Sequence, residues 1–390
     1  MITREEIRQL AQFESSTGCA ITFYFQPHTP QDKSHREEAI MVKDLVRDTL
    51  RQAERNGNHT VLRHDLEKIL NIAEGLHGNH SRGKAIFACR EHGIWRELDI
   101  PARPEPSQIK VNSRFHLRPL VDASSGLPRT CIALVNRKKA RIFELQETEI
   151  TQKPDLEFGP SPGVPRSDGF AGYEAGHRER HVENMVMQHF KMFAESLLML
   201  AHRDKFDALL IGCQEDSWPE IESQLHNDLK QKLRGRFAVD VASATAEEVR
   251  QHAKRILTES MLASQKELIS EVMGEARRNA RGAVGLKHVL NALERQEVQT
   301  LLVLRGFKAE AVECPNCRHL DTRMVKACAV CGHETRELSD ISDALVDMAL
   351  RNGADIRFID GDGEMEKAGH VAALLRFRAD QNTEQRKMAV

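Results

Sequence analysis

The chain has 390 residues, 40% hydrophobic and 29% charged, a soluble balance with enough apolar material for two or three packed cores. Lys plus Arg (56) nearly cancel Asp plus Glu (58), leaving a formal charge of −2, which excludes the global signature of a non-specific nucleic-acid binder but not local basic patches. No run approaches the roughly 18 apolar residues of a membrane span, and the amphipathic start MITREEIRQLAQFE lacks the apolar centre of a secretory signal, so a cytoplasmic protein with no membrane partner is expected.

In the first unit, residues 1–125, CAITFYF reads as a strand and QPHTPQD as a turn. Two stretches with apolar residues at helical spacing follow, REEAIMVKDLVRDTLRQAE and LRHDLEKILNIAEGL. KAIFACREHGIWREL places a central turn between apolar runs and predicts a hairpin. Proline-rich IPARPEPSQ and then VNSRFHLRPLVDASSGLP carry the chain out of this unit.

The second unit, residues 126–257, opens with a hairpin, TCIALVNRKKARIFELQETEI, whose polar turn NRKK separates alternating apolar runs. A long loop over 154–180 follows, with three prolines after Glu157 and spaced glycines that break any helix. Helix signals resume at RHVENMVMQHFKMFAESLLMLAHRD, then come a buried strand, FDALLIGC, and the helix WPEIESQLHNDLKQKL. This alternation argues a mixed α/β layer fold. The third unit, residues 258–390, starts with the charged helix ESMLASQKELISEVMGEARRN. AVGLKHVLNALERQEVQTLLVL then runs from helix into strand, and after a cysteine-rich insertion the order is helix SDALVDMALRNG, strand ADIRFI, acidic turn DGDGEMEKAG and strand VAALLRFR. A polar tail, ADQNTEQRKMAV, is expected to fray.

Cysteine usage divides in two. Cys19, Cys89, Cys131 and Cys213 stand alone in apolar surroundings and read as reduced, buried small hydrophobes. Cys314, Cys317, Cys328 and Cys331 form two CxxC pairs with ten residues between them, in the stretch CPNCRHLDTRMVKACAVCGHE. Each CxxC turn aims two thiolates at one centre, and two such turns complete a tetrahedral sulfur site suited to Zn²⁺. The expectation is a structural zinc ribbon over 312–336, closed to catalysis because four thiolates leave no open position. Gly332 fits the tight turn after the second pair, and His319 and His333 are spare because a fourth thiolate is present. The alternatives are a metal-free cysteine loop or a redox pair. The other histidines, of 18 in all, are scattered without HExxH-type spacing.

Taken in order, the three units resemble archaeal and eukaryotic class I release factors and Pelota. The third unit carries the resemblance best, through AVGLKHVLNALERQEVQTLLVL, the cysteine insertion, NGADIRFI and GHVAALLRFR. It is similar to the family's C-terminal kink-turn-binding ribosomal-protein fold, which a cysteine mini-domain interrupts in archaeal members. The middle unit resembles the family's central domain, whose helix begins near an Arg-His pair matched by Arg180 and His181; NSRFHLRPL resembles the close of its N-terminal domain. The resemblance implies three domains in a tRNA-mimic architecture that enters the ribosome.

Two departures shape the functional expectation. Family release factors carry Gly-Gly-Gln in the central loop, yet SDGFAGYEAGHRERH has Gly169, Gly172 and Gly176 without an adjacent pair and has no glutamine. Glu174 is the nearest substitute, and a carboxylate there would oppose the developing oxyanion of ester hydrolysis. The Asn-Ile-Lys-Ser stop-codon loop is also absent; QAERNGNHTVLRHD stands where it would fall. Pelota likewise lacks the glutamine motif, and its bacterial relative Balon occupies the decoding site as a hibernation factor. The resemblance therefore implies a ribosome-binding factor of hibernation or rescue, acting on the rRNA of the A site as a monomer with a translational GTPase such as elongation factor Tu.

On that reading Phe170 and Tyr173 stack on bases, Gly169 and Gly172 allow close backbone approach, and His177, Arg178, Arg180 and His181 meet phosphates. Arg137, Lys138 and Lys139 of NRKKAR form a second RNA-facing cluster, and EARRNARG faces RNA or the GTPase. The structural alternative is a loop whose charges merely open a helix, and basic clusters that are solvated faces. The competing enzymatic reading is peptidyl-tRNA hydrolysis through Glu174 or a backbone amide near Gly172. An endonuclease or a scaffold away from the ribosome is a weaker third option, with no paired-carboxylate metal motif to support a nuclease.

Overall fold

The computed structural model describes residues 4–27, 36–55, 59–75, 82–101, 106–124, 126–146, 149–153 and 174–378. They pack as two compact units: Gly126–Lys266 makes one, and the flanking segments Met1–Ser125 and Glu267–Val390 together make the other.

The first segment contains α1 (Arg4–Gln12), β1 (Ala20–Phe25), α2 (Arg36–Arg55), α3 (His59–Gly75), β2 (Arg82–Cys89), β3 (Ile94–Pro101), β4 (Gln108–Asn112) and α4 (Arg118–Ser124). Its sheet is antiparallel in the order β3-β2-β1-β4. All six residues of β1 are buried, which is why AITFYF reads as a continuous apolar run rather than an alternating one. The prolines did not carry the chain away as expected. QIKVN returns as β4 to occupy the second edge of β1, satisfying backbone groups that would otherwise lie open.

The Gly126–Lys266 unit holds β5 (Thr130–Val135), β6 (Ala140–Gln146), β7 (Glu149–Gln152), α5 (Glu174–Asp204), β8 (Ala208–Gly212), α6 (Trp218–Gln224), α7 (Asn227–Lys232), β9 (Leu233–Phe237) and the first part of α8 (Ala246–Arg277). The sheet order is β7-β6-β5-β8-β9, with β5, β8 and β9 parallel and β6 and β7 antiparallel. Alternation along β5 sorts its residues to two layers. Cys131, Ala133 and Val135 meet Val186, Phe190, Phe193 and Leu197 of α5, while Ile132 and Leu134 meet Val249, Ala253 and Leu257 of α8.

Three element bounds differ from the sequence reading. WPEIESQLHNDLKQKL is two helices, because His226 leaves helical geometry and its ring accepts the Asp228 amide at 3.3 Å, capping α7. LRGRF, unassigned in the sequence, is the edge strand β9. α8 starts at Ala246 rather than near Glu259, behind a capping box in which Thr245 and Glu248 each bond the other's backbone N–H, at 3.3 and 2.9 Å.

The last segment adds β10 (Gly282–Val284), α9 (Leu286–Glu294), β11 (Val298–Leu304), β12 (Ala311–Glu313), β13 (Leu320–Asp321), β14 (Arg336–Leu338), α10 (Ser342–Arg351), β15 (Asp355–Ile359), α11 (Gly363–Lys367) and β16 (Val371–Leu375). The main sheet runs β10-β16-β11-β15, with β11 and β15 parallel. Leu301 and Val303 face a core shared with α9, α10 and the first segment; Leu302 and Leu304 face Ile269, Val272 and Met273 of α8 and Met365 of α11. Part of DGDGEMEKAG is thus the short helix α11 rather than a turn, capped by Asp362 on the amides of Glu364 and Met365. The small sheet β13-β12-β14 is the cysteine insertion, with Ala311 and Leu320 packed into the shared core. Among the described residues no helix is long and apolar enough to cross a membrane.

Candidate functional site

The sharpest site is built by two copies of one local structure, CPNCRH and CAVCGH. In the first, the Cys314 amide donates to the His319 carbonyl at 3.0 Å and the Arg318 amide to the Cys314 carbonyl at 2.9 Å. In the second, Cys328 donates to His333 at 2.8 Å and Gly332 to Cys328 at 2.9 Å. Both turns therefore close through the same ring. Backbone amides also point at sulfur, Cys317 N–H to Cys314 Sγ at 3.5 Å and Val330 N–H to Cys328 Sγ at 3.4 Å.

The two knuckles bring the sulfurs of Cys314, Cys317, Cys328 and Cys331 within 4.8 Å of one another. Pairs across the knuckles lie at 3.4 Å (Cys314 and Cys331) and 3.5 Å (Cys317 and Cys328). A four-thiolate zinc with bonds of about 2.3 Å needs sulfur edges of about 3.8 Å, so the donor set and spacing fit Zn²⁺. The His333 amide helps hold the Cys331 thiol down to about 5. Neither histidine joins the sulfur cluster: His319 pairs with Glu294, and the His333 ring lies 3.3 Å from the Cys331 carbonyl. The metal would bind to these four side chains and cross-link the insertion; a closed sulfur shell supplies no chemistry beyond that.

The basic turn is equally defined. Arg137, Lys138 and Lys139 sit exposed at the tip between β5 and β6. Asn136 Oδ1 accepts the amides of Lys138 and Lys139 at 2.9 and 2.7 Å, which fixes the turn and leaves the cationic side chains outward. Arg137 has a loose, exposed contact with Glu220 at 3.6 Å. The His189 ring reaches the Asn136 carbonyl at 3.1 Å and ties this tip to α5. Burial lowers the His189 pKa, which suits a neutral tether.

Gly169, Phe170, Gly172 and Tyr173 lie outside the described residues. For Glu174, His177, Arg178, Arg180 and His181 only the backbone is described, and it is helical: α5 begins at Glu174, not near Arg180. His181 precedes His189 by eight residues, about 12 Å along the helix at about 1.5 Å per residue. The Arg-His pair and the basic tip thus attach to one helix.

Residues 116–258 match the family model described as bacterial archaeo-eukaryotic release factor family 10. Peptide chain release factor subunit 1 of Archaeoglobus fulgidus is 24% identical over 407 aligned positions, covering 97% of each chain. By these two matches the chain is similar to release factors of the archaeo-eukaryotic type. The corresponding protein of Thermococcus kodakarensis is also 24% identical, over 70% of this chain and 73% of its own. Among solved structures, a ribosome-bound archaeal Pelota with ABCE1 is 18% identical over 76% of this chain and 78% of its own, with a TM-score of 0.44.

The chain also holds contacts that sequence reading did not find. Arg318, in the first knuckle, pairs with Glu14 and lies 3.7 Å from Glu313; Glu14 also meets Arg114 at 3.2 Å and Arg351 at 3.4 Å. Burial would raise the Glu14 carboxyl, but the Arg114 and Arg318 charges outweigh it and hold the group below its ordinary value. Beside this cluster Arg114 pairs with Asp347, and Lys110 with Asp343 at 2.8 Å. In the other unit Lys153, just before the long loop, is held by Glu144 at 2.7 Å and Asp204 at 3.4 Å. No motif marks these pairs, and the ones through Glu14, Asp343 and Asp347 join residues more than 95 positions apart.

Proposed function

We propose that this chain occupies the ribosomal A site, in hibernation or rescue, and acts by occupancy without hydrolysing peptidyl-tRNA. The observation that carries the reading is a likeness to an archaeal peptide chain release factor along 97% of the chain, joined to a central loop with no Gly-Gly-Gln. Ester hydrolysis needs neutral or cationic donors toward the oxyanion, and the loop offers Glu174 in place of the missing glutamine amide.

In this reading residues 1–125, 126–257 and 258–390 are three working domains with a transfer-RNA outline, and the factor is a cytoplasmic monomer. The loop tip (Gly169, Phe170, Gly172, Tyr173) and the start of α5 (His177, Arg178, Arg180, His181) contact rRNA. Arg137, Lys138 and Lys139 add phosphate contacts from the hairpin tip. Zinc on the four ribbon cysteines holds the insertion's shape. A translational GTPase such as elongation factor Tu is the expected delivery partner.

Co-sedimentation with vacant and stalled ribosomes, with and without the GTPase, tests occupancy, with crosslinking from Phe170 or Tyr173 locating the contact. The protein is expected to pellet with ribosomes and to leave labelled peptidyl-tRNA intact. A protein that never pellets defeats the reading. Release of peptide that is lost in Glu174→Ala replaces it with hydrolysis by an altered loop.

A further inference from the structure

Two of the isolated cysteines are not isolated in space. Cys19 and Cys89 are both buried, and their sulfurs lie 3.0 Å apart. They sit on neighbouring chains of one ladder: β1 pairs antiparallel with β2, Ile21 opposite Ala88, and Cys19 immediately precedes β1 while Cys89 ends β2. Cys19 lies one residue beyond the position that the register places level with Cys89, and a diagonal of about 4.8 Å across and about 3.3 Å along the strands gives a separation of roughly 6 Å, inside the roughly 4.4–6.8 Å Cα span of a disulfide.

The surroundings of the two thiols differ. Cys19 ends a tight loop in which Ser15 Oγ and Thr17 Oγ1 lie 3.2 and 3.1 Å from its sulfur. Glu91 Oε2 lies 3.2 Å from the same sulfur, and Glu91 is exposed to solvent. Cys89 is fully buried in the sheet, and burial together with Cys19 pushes its thiol up to about 12. Cys19 therefore touches a solvent-exposed carboxylate directly, and Cys89 reaches it through the Cys19 sulfur.

We propose that Cys19 and Cys89 form a reversible disulfide when the protein meets hydrogen peroxide, with Cys19 reacting first and Cys89 resolving it. Cys19 passes its proton to the Glu91 carboxylate and on to solvent, and its thiolate attacks one peroxide oxygen. The O–O bond breaks, Cys19 becomes a sulfenic acid, and the departing hydroxide takes up a proton as water. The Cys89 sulfur then attacks the Cys19 sulfur; the S–O bond breaks and a second water leaves with the Cys89 proton. Two thiols are oxidised by two electrons and one peroxide is reduced to two waters. The bond would tie the Ser15–Cys19 loop to the end of β2.

The test uses the full zinc-loaded chain, so that the four ribbon thiolates are protected. After peroxide treatment and alkylation, a non-reducing tryptic digest is read by mass spectrometry. The expected product is the peptide over residues 9–33 joined to the peptide over residues 85–90, two hydrogens lighter than the pair and separated by dithiothreitol. In Cys89→Ser the link is lost and dimedone labels Cys19; in Cys19→Ser both link and label are lost. A wild-type digest in which both thiols remain alkylated after peroxide overturns the proposal without recourse to any variant. Dimedone labelling of Cys89 but not Cys19 overturns the assigned order.

Discussion

Arg318 and Gly332 hold the same place in the two knuckles: each follows the second cysteine of a CxxC pair, and each has a left-handed φ, +65° and +74°. Glycine adopts that geometry freely and arginine does not. A Cβ on Gly332 would meet no atom within 4 Å, so its substitution cost is conformational rather than steric. Gly332→Ala is expected to cost about 1–2 kcal/mol, read as about a tenfold loss of zinc affinity in a competition titration. Arg318→Gly gains that term but forfeits the Glu14 contact, so its affinity should change less.

One zinc per chain is expected by elemental analysis of the purified protein. Replacing any one of Cys314, Cys317, Cys328 or Cys331 by serine should abolish tight binding, because structural zinc contributes on the order of 10 kcal/mol to such a small fold. His319→Ala and His333→Ala should keep full stoichiometry. Loss of metal in either histidine variant would show the ligand set to be wrong.

Arg114 and Asp347 form a mostly buried pair linking the first and last segments of their unit. Among the described residues Arg114 Nε, Asp347 Oδ1 and Arg351 Nε are buried without a hydrogen-bond partner, so the cluster carries a desolvation cost. Arg114→Ala should destabilise by about 1–3 kcal/mol in urea unfolding, since it leaves the Asp347 carboxylate only its 3.5 Å contact with Arg351. Combining Arg114→Met with Asp347→Leu should recover most of that loss.

His116 predicts a pH dependence. Burial pushes its pKa down to about 4 despite the opposing pull of Asp343, with Lys110 and Arg118 adding to the depression. The unfolded chain takes up a proton near pH 6.5 that the folded chain refuses until about pH 4, so stability is full above 6.5 and falls between those values. The loss attributable to this group is roughly 3 kcal/mol at most, at about 1.4 kcal/mol per pH unit. Asp343, held below its ordinary value by His116 and Lys110 against burial, adds a further loss only below about pH 3.8. Unfolding midpoints of His116→Gln should decline less between pH 6.5 and 4 than those of the wild type, His189 keeping part of the slope.

The hairpin tip can be tested without touching the core. Replacing Lys138 and Lys139 together with glutamine should leave the thermal midpoint within about 1 °C, because both side chains are exposed. If they contact phosphates, ribosome binding should weaken and the slope of log affinity against log salt should shrink by about one per contact. An unchanged slope would make the cluster a solvated face.

Local patterns carried much of the fold into view. AITFYF declared a strand, NRKK a hairpin tip, and two CxxC pairs a four-sulfur cluster that could hold a metal, because each depends on neighbours within a few residues. The capping box of Thr245 and Glu248 is equally local, yet the sequence reading passed over it and began the helix near Glu259. What pattern could not supply was pairing over distance. β4 joins β1 although prolines precede it, Arg318 reaches Glu14 across some three hundred positions, and Cys19 meets Cys89 across 70. Those contacts exist because burying two sheets and a shared core brings distant chain segments together. Sequence alone determined which residues could form turns, strands and sulfur knuckles; only tertiary packing decided which charges and thiols became neighbours.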